Sequence, residues 1–113
     1  MRAARSRGRA VAEGPLVLRY LRNATDPPAN RYAVVAGRKS GGSVQRNRLK
    51  RVTREALRTL HPRLAPGFDI VVIIRGTIDE LPGSAAAMEI LTRMMQRAGL
   101  LRNVTDRRRE QTP

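Results

Sequence analysis

The segment FDIVVIIR, Phe68 to Arg75, is the most apolar part of the sequence and limits the folds open to it. Its β-branched residues form a continuous apolar run, which is typical of a strand covered on both faces. The run is far too short to span a bilayer, so we expect it inside a globular domain. The chain has 113 residues, which suits one compact two-layer domain built around this strand.

Strand-forming residues also occupy two segments nearer the N-terminus. PLVLRYL, residues 15–21, and RYAVVAG, residues 31–37, flank a turn region in which Pro27 and Pro28 stop any regular element. This arrangement is compatible with an antiparallel pair of strands. The two strands would then lie next to each other in the sheet.

Helical spacing of apolar residues predicts two helices. The first covers residues 43–60, with Ser43 or Gly42 as its N-cap, and the second covers residues 85–98, with Ser84 as its N-cap. The element order strand, strand, helix, strand, helix predicts an α+β fold. We expect a small two-layer sandwich, with a sheet of about four strands and the helices packed on one face.

The two ends of the chain differ from the middle in composition. Residues 1–14 carry four arginines and few large apolar residues, which predicts a flexible basic arm. Residues 102–113 are polar and predict a frayed tail. The folded α/β domain is therefore expected to cover residues 15–101.

The positive charge of the chain is its strongest compositional feature. Lysine and arginine total 23 against 9 acidic residues, for a formal net charge of +14. Such an excess attracts polyanions. Nearly all of these cations are arginine, whose planar guanidinium suits phosphates and stacks on bases. A GC-rich genome would also enrich arginine, but it would not account for the net charge. A nucleic acid is therefore the first partner to consider, and an anionic membrane surface the second.

The sequence also indicates a compartment. It contains no cysteine, which excludes disulfides and thiolate metal sites and fits a reducing environment. The basic start has no apolar core of signal-peptide length. We expect a cytoplasmic protein that is not inserted in a membrane.

The residues that could support catalysis are few and scattered. The one histidine, His61, lies before Pro62 at a predicted helix end, where an exposed turn or capping role is typical. Asp79 and Glu80 are adjacent but have no histidine or cysteine near them in the sequence. We therefore expect no catalytic residue and no metal site in this chain.

The first predicted helix combines an apolar arc with a basic surface. Leu49, Val52, Ala56 and Leu60 recur at helical spacing and are expected to face the sheet. Glu55 is the one acid on the helix and could pair with a neighbouring arginine, Arg51 or Arg58. The remaining circumference carries Arg46, Asn47, Arg48, Lys50, Arg51, Arg54 and Arg58.

Like charges follow one another along this surface at i, i+4 spacing. The pairs are Arg46–Lys50, Lys50–Arg54 and Arg54–Arg58. Each such pair destabilises an isolated helix slightly, and a solvated helix face normally mixes charges of both signs. The pattern therefore favours a face that binds phosphates over a merely solvated one.

The stretch RKSGGSVQRNRLKRVTREALR, residues 38–58, resembles the signature of the bacterial ribonuclease P protein subunit. It has a basic pair, a glycine-containing turn and the triplet Arg46-Asn47-Arg48, followed by an apolar residue and two basic ones. The strand before it, the segment APGFDIVVIIR after it and a helix ending in RAGLL follow in the family's order. The resemblance covers roughly residues 9–101.

This resemblance implies a ribosomal-protein-like sandwich with a left-handed βαβ crossover. It also implies a subunit of ribonuclease P, which assists endonucleolytic removal of the 5′ leader of precursor tRNA to give the mature 5′ end. The implied partners are a catalytic RNA and precursor tRNA, with one monomeric protein per RNA. The RNA would carry the chemistry with Mg²⁺, bound mainly by the RNA itself.

The resemblance also assigns candidate site residues. An exposed face of the first two strands would bind the leader. With three aromatic residues in the whole chain, base stacking can contribute little there, and binding must rest on phosphate contacts. Contacts to the catalytic RNA are expected from Arg46, Asn47, Arg48, Lys50, Arg51 and Arg54. Leader contacts are expected from Leu16, Leu18 and Tyr20 or their alternates, with Tyr32, Val34, Arg38 and Lys39 at the edge.

Two other functions fit a basic helix of this kind. A ribosomal protein or RNA chaperone could use it to bind structured RNA. A DNA-binding protein could place it in the major groove, but the sequence shows no helix-turn-helix partner and the arginines extend too far around the helix for a groove-reading edge.

Overall fold

A four-stranded mixed sheet forms one layer of the molecule. The computed structural model describes residues 8–102 of the chain. The strand order is β1-β2-β4-β3, in which β1–β2 and β2–β4 are antiparallel and β3–β4 is parallel. The strands are β1 (Arg9–Glu13), β2 (Leu16–Arg22), β3 (Arg31–Ala36) and β4 (Phe68–Ile74). The apolar segment thus lies inside the sheet with a strand on each side, which confirms it as the central strand. The predicted cover on both faces is not confirmed, because within residues 8–102 the helices pack on one face only.

Two helices form the second layer, and both pack on the same face of the sheet. Helix α1 covers Ser43–Leu60, which confirms its predicted bounds, and helix α2 covers Ser84–Ala98, which begins one residue before the predicted start. Short 3₁₀ turns, Arg38–Ser40 and His61–Arg63, adjoin the two ends of α1. The N-caps are Gly42 and Gly83, which places Ser84 inside its helix rather than at the predicted cap.

The core lies between the sheet and the helices. Ile70, Val72 and Ile74 of β4 point toward the helices and are at most 1% exposed. The predicted apolar arc of α1 is confirmed, because its four residues are all buried against this cluster. From α2, the cluster receives Ala87, Leu91, Met94 and Met95.

The predicted flexible basic arm is wrong for the part that the structure describes. Arg9–Glu13 forms β1, which returns into β2 through a tight turn at Gly14, whose φ of 53° favours glycine. Val11 of β1 packs against the core. The Glu13 carboxylate accepts hydrogen bonds from Arg93 at 2.5 Å and Arg97 at 3.1 Å, which ties β1 to α2. The rest of the predicted arm and most of the predicted polar tail lie outside the described residues.

The predicted pairing of the two strands that flank the Pro-Pro turn is also wrong. Strand β4 lies between β2 and β3, and both of its edges are hydrogen-bonded. The connecting loop closes over the start of β4 instead of forming a hairpin. Asn23 N–H donates to the Gly67 carbonyl at 2.8 Å, and the Asn30 side-chain oxygen accepts from Phe68 N–H at 2.8 Å.

Helix α1 is the crossover between the parallel strands β3 and β4. A parallel pair needs such a connection, because its strands run in the same direction and cannot be joined by a tight turn. The βαβ unit is therefore present as the resemblance implies. The left hand of its crossover stays a prediction.

An ion pair ties β3 to β4 at their N-terminal ends. Asp69, which is 5% exposed, accepts two hydrogen bonds from the Arg31 guanidinium, at 2.6 and 2.8 Å. Asn23 donates a third at 3.2 Å. The hydrogen bond from Arg31 is the main reason that the pKa of Asp69 is lower than usual.

We predict that Leu49→Ala destabilises the domain by about 2–5 kcal/mol, because Leu49 is fully buried and its truncation leaves a cavity. The matched control is Val44→Ala on the same helix, where the side chain is 78% exposed. We expect it to change stability by less than about 0.5 kcal/mol. Urea unfolding followed by circular dichroism measures both. Equal effects would contradict the burial of this helix face.

We predict that Asp69→Asn makes stability less dependent on acid pH. The pKa of Asp69 is lower in the folded protein, so its contribution is complete above the unfolded pKa of about 3.9 and is lost as pH falls through the folded value. The gap in unfolding free energy between the parent and Asp69→Asn should therefore shrink from pH 7 to pH 3.

The control for this experiment is Asp79→Asn, since Asp79 is exposed and outside any ion pair in residues 8–102. The difference in unfolding free energy between the parent and Asp79→Asn should stay small and change less with pH. A constant gap for Asp69→Asn would mean that the ion pair with Arg31 does not stabilise the fold.

Candidate nucleic-acid interface

The outer surface of α1 carries seven polar side chains, six of them cationic, that point away from the core. We call this surface the basic face. Arg46 and Lys50 are half-buried and the others are exposed. Its members are Arg46, Asn47, Arg48, Lys50, Arg51, Arg54 and Arg58. The structure thus brings together all six residues predicted to contact the catalytic RNA.

No cation of the basic face forms an ion pair with any carboxylate in residues 8–102. The expected pairing of Glu55 with Arg51 or Arg58 is wrong, although these three side chains border one shallow cavity. The Nε atom of Arg46 is buried and has no hydrogen-bond partner. The positive charge of α1 is therefore not neutralised within the described part of the protein.

The ion pairs that do form lie elsewhere. Glu13 pairs with Arg93 and Arg97, Glu89 also pairs with Arg93, and Asp69 pairs with Arg31. Each of these contacts joins strands, or joins β1 to α2, or lies along α2. The acidic residues therefore hold the sheet and α2, and α1 is left with its full charge.

The turn before α1 adds two more cations. Arg38 and Lys39 are exposed in the 3₁₀ turn, whose Ser40 hydroxyl is buried and donates to the Ile74 carbonyl at 3.3 Å. Gly41 follows with a φ of 122°, and a Cβ at this position would lie 2.9 Å from the Gln45 Cβ. Glycine therefore allows the chain to enter α1 directly after the basic pair.

The residues predicted to bind the leader do not form one surface. Leu16 and Leu18 are fully buried in the core beneath the helices, so their prediction as part of an exposed face is wrong. Tyr20 points the same way, is half-buried and meets Phe68 edge to face at 6.4 Å. Alternation along β2 gives the physical reason, because residues 16, 18 and 20 share the face that packs against the helices.

The residues that alternate with these on β2, at positions 17, 19 and 21, lie on the opposite face of the sheet, which we call the open face. In residues 8–102 both helices pack on the other side. Arg19 pairs in register with Val71, and the neighbouring positions are small or apolar. The open face carries Ala10, Ala12, Val17, Arg19, Leu21, Arg31, Ala33, Val35, Asp69, Val71 and Ile73, of which Asp69 and Val71 are buried.

Tyr32 and Val34 line a groove between the edge strand β3 and the second half of α1. We call it the β3–α1 groove; its volume is about 480 Å³. The Tyr32 hydroxyl lies 2.6 Å from Nδ1 of His61, and the two rings meet at 72° with centroids 5.6 Å apart. The prediction of His61 as an exposed turn residue is confirmed, but its contact with Tyr32 has no signal in the sequence. The groove is lined by Tyr32, Ala33, Val34, Arg54, Leu57, Arg58 and His61.

Residues 8–102 contain no group of three or more histidine or acidic side chains that could hold a metal ion. Within the same part of the chain, no helix is long and apolar enough to cross a membrane. The described part of the protein thus presents a large cationic surface beside apolar and aromatic surfaces, and this combination suits binding of a polyanion.

Comparison with known proteins decides which polyanion-binding family this is. The family model described as Ribonuclease P matches residues 2–99. The chain belongs to the bacterial ribonuclease P protein family. It is 40% identical over 96 residues to the ribonuclease P protein component of Symbiobacterium thermophilum, covering 85% of this chain and 82% of that one.

Solved structures of the family share the fold. The RNase P protein from Thermotoga maritima is 28% identical with a TM-score of 0.71, over 82% of this chain and 86% of that one. The Staphylococcus aureus RNase P protein, at 22% identity, has a TM-score of 0.73 over 88% and 89% of the two chains.

Membership of this family gives the protein its role as the protein component of ribonuclease P in tRNA 5′ processing. Its partners are accordingly the RNA subunit and precursor tRNA. This favours tRNA processing over the ribosomal, chaperone, DNA-binding and membrane-surface alternatives.

Proposed function

We propose that this chain is the non-catalytic subunit of a ribonucleoprotein, in which a large RNA cuts the leader from precursor tRNA. The observation that carries the proposal is the basic face, whose six cations have no carboxylate partner in residues 8–102. Cations held on one rigid helix displace counterions from an RNA backbone, which is the main source of affinity in such complexes.

The basic face would contact the catalytic RNA. Exposed guanidinium groups such as those of Arg48 and Arg51 can bind phosphate oxygens with two hydrogen bonds each. Asn47 is uncharged and exposed, and its amide can both donate to and accept from a sugar or a base edge. The contacting set would be Arg46, Asn47, Arg48, Lys50, Arg51 and Arg54.

Magnesium would be bound mainly by the RNA of the holoenzyme. The acidic residues within 8–102 do not fit a magnesium site, because Asp69 and Glu13 are bound to arginines and no three acidic or histidine side chains there lie together. Phosphate oxygens of RNA are the kind of hard oxygen ligand that Mg²⁺ prefers. The role of this chain is then to bind and position the two RNAs.

The open face would bind the 5′ leader, with Arg38 and Lys39 at its border. Its surface is mostly apolar, and Arg19 is the one cation on the paired positions of β2 that face this way. An extended single strand could lie across it, with bases on the apolar positions and a phosphate on Arg19.

The high positive charge also bears on assembly and location. Two copies of a chain with a formal net charge of +14 repel each other, which favours one monomeric protein per catalytic RNA. We place the complex in the cytoplasm, where precursor tRNA is available.

We predict that Arg46→Ala with Arg48→Ala weakens binding of the catalytic RNA and flattens its dependence on salt. Each lost phosphate contact should lower the slope of log K against log salt concentration by about one. Filter binding from low to high salt measures the slope. Reconstituted leader removal from precursor tRNA at low Mg²⁺ should slow in parallel.

The matched control is Arg63→Ala with Arg102→Ala, which removes the same charge from the opposite end of α1. Its slope should stay close to that of the parent protein. If both double variants gave the same slope, net charge rather than the basic face would bind the RNA. A protein that co-sedimented with ribosomal subunits and left tRNA 5′ ends intact would contradict the proposed function.

We predict that Arg19→Ala lowers affinity for precursor tRNA but not for mature tRNA. Loss of one charge-assisted contact to the leader should weaken binding by roughly tenfold to a hundredfold. Affinities of the reconstituted complex for tRNA with and without its leader measure the difference. Arg102→Ala serves as the charge control. An equal loss for both tRNAs would mean that Arg19 does not contact the leader.

A further inference from the structure

The β3–α1 groove is separate from the open face and overlaps the basic face at two arginines, Arg54 and Arg58. Its floor is apolar, formed by Val34 and Leu57, and its end is aromatic, formed by Tyr32 and His61. One wall carries Arg54 and Arg58, and neither forms an ion pair with any carboxylate in residues 8–102. An apolar floor, an aromatic end and a cationic wall are the three surfaces that a single nucleotide requires.

The two rings at the aromatic end form a corner rather than one flat stacking surface. Tyr32 and His61 meet at 72°, so a base that stacks on one ring meets the edge of the other. Burial raises the pKa of Tyr32, so its phenol keeps its proton at neutral pH. The direction of the hydrogen bond between the phenol and Nδ1 depends on the tautomer of His61: in the tautomer with its proton on Nε2, the phenol donates to Nδ1 and the Nε2–H can serve a ligand as a donor.

The edge of the sheet supplies further polar groups. Strand β3 is last in the sheet order, so backbone N–H and C=O groups on its outer side have no strand partner in the described part of the chain. Ala33 lines the groove although it alternates with Tyr32 and Val34, which places β3 backbone at the groove's margin. Such groups are the donors and acceptors that a base edge needs.

The groove is continuous with the surface that faces RNA. Arg54 and Arg58 border it and also border the shallow cavity on the basic face that includes Asn47 and Arg51. An RNA strand whose phosphates follow α1 could therefore place one unpaired base over the arginines and into the groove. Its volume of about 480 Å³ lies within the ~300–1,000 Å³ that is usual for ligand pockets.

We propose that the β3–α1 groove binds one unpaired nucleotide of RNA, with its base against Tyr32 and His61 and its phosphate on Arg54 and Arg58. The proposal rests on the proposed function, because it takes RNA as the partner of α1. It adds a nucleotide-sized site that is separate from the open face.

The test uses adenosine 5′-monophosphate as the probe and the full chain without any RNA. Nuclear magnetic resonance follows the rings of Tyr32 and His61 and the methyl groups of Val34 and Leu57 during the titration. We expect all four to shift together and to saturate. Ribose 5-phosphate, which lacks the base, should bind at least about fivefold more weakly, since stacking on an aromatic ring is worth at least that factor.

Variants separate the base from the phosphate. His61→Ala, at an exposed position, should weaken adenosine 5′-monophosphate about fivefold or more and leave ribose 5-phosphate nearly unchanged. Arg58→Ala should weaken both probes. Tyr32→Phe keeps the ring and should keep most of the affinity, whereas Tyr32→Leu should not. Arg102→Ala, outside the groove, is the charge control and should change neither.

Equal affinity for the two probes, with no effect of His61→Ala, would overturn the proposal and leave only a phosphate site. Chemical-shift changes confined to the Asn47 end of α1 would also overturn the proposal. Because Tyr32 is half-buried, folding of its variants is checked by circular dichroism, and His61→Ala decides if they do not fold. The titration contains no ribonuclease P RNA. If adenosine 5′-monophosphate failed to bind while the salt-slope and cleavage experiments gave their expected results, the groove site would be rejected and the proposed function would stand.

Discussion

Hydrogen bonding of β4 on both edges is the constraint on which the rest of this structure depends. The strand pairs antiparallel with β2 and parallel with β3, and it contributes Ile70, Val72 and Ile74 to the core. The parallel partner requires a crossover, and α1 is that crossover. Burial of the apolar arc of α1 in the core cluster that includes these β4 residues then fixes the rotation of the helix, so its arginines point outward.

This arrangement separates the arginines that form ion pairs within the fold from the cations of α1, which form none in residues 8–102. Acidic residues are placed where they join elements, as with Glu13 between β1 and α2 and Asp69 between β3 and β4. Exposed ion pairs contribute about 0–1 kcal/mol each, so α1 loses little stability by having none in the described part of the chain. Under the proposed function, the repulsion among its like charges would be relieved when RNA binds.

The sequence predicts those features that depend on local pattern. Helical spacing predicts both helices and their bounds to within one residue, and the continuous apolar run predicts the central strand. Strand β1 was missed because Val11 is the one large apolar residue in this short segment, and its place depends on a turn at Gly14 and on hydrogen bonds from Arg93 and Arg97, far away in the sequence. The order of the strands was missed for a similar reason, since the loop that includes Asn23 closes over β4 only in the folded chain.

The candidate site residues also divide into those that a local sequence pattern predicts and those that depend on the folded chain. Residues of α1 could be predicted because one helix carries them all, and its burial pattern sets their direction. The strand residues could not, because a shift of one position along β2 exchanges Leu18, in the core, for Arg19, on the open face. The contact of Tyr32 with His61 joins two elements that are 29 residues apart and has no local signal.

The exposed edge of β3 brings fold and function together. An edge strand invites pairing with a second chain, and proteins commonly prevent this with charged side chains. Here Arg31 begins β3, Arg38 and Lys39 follow it, and Arg54 and Arg58 line the groove beside it. Under the proposed function, the exposed cations on this side of the molecule would bind RNA and would also oppose edge-to-edge association of two copies. Edge protection and RNA binding would then place the same demand on these positions, in keeping with the single protein copy per RNA that we propose.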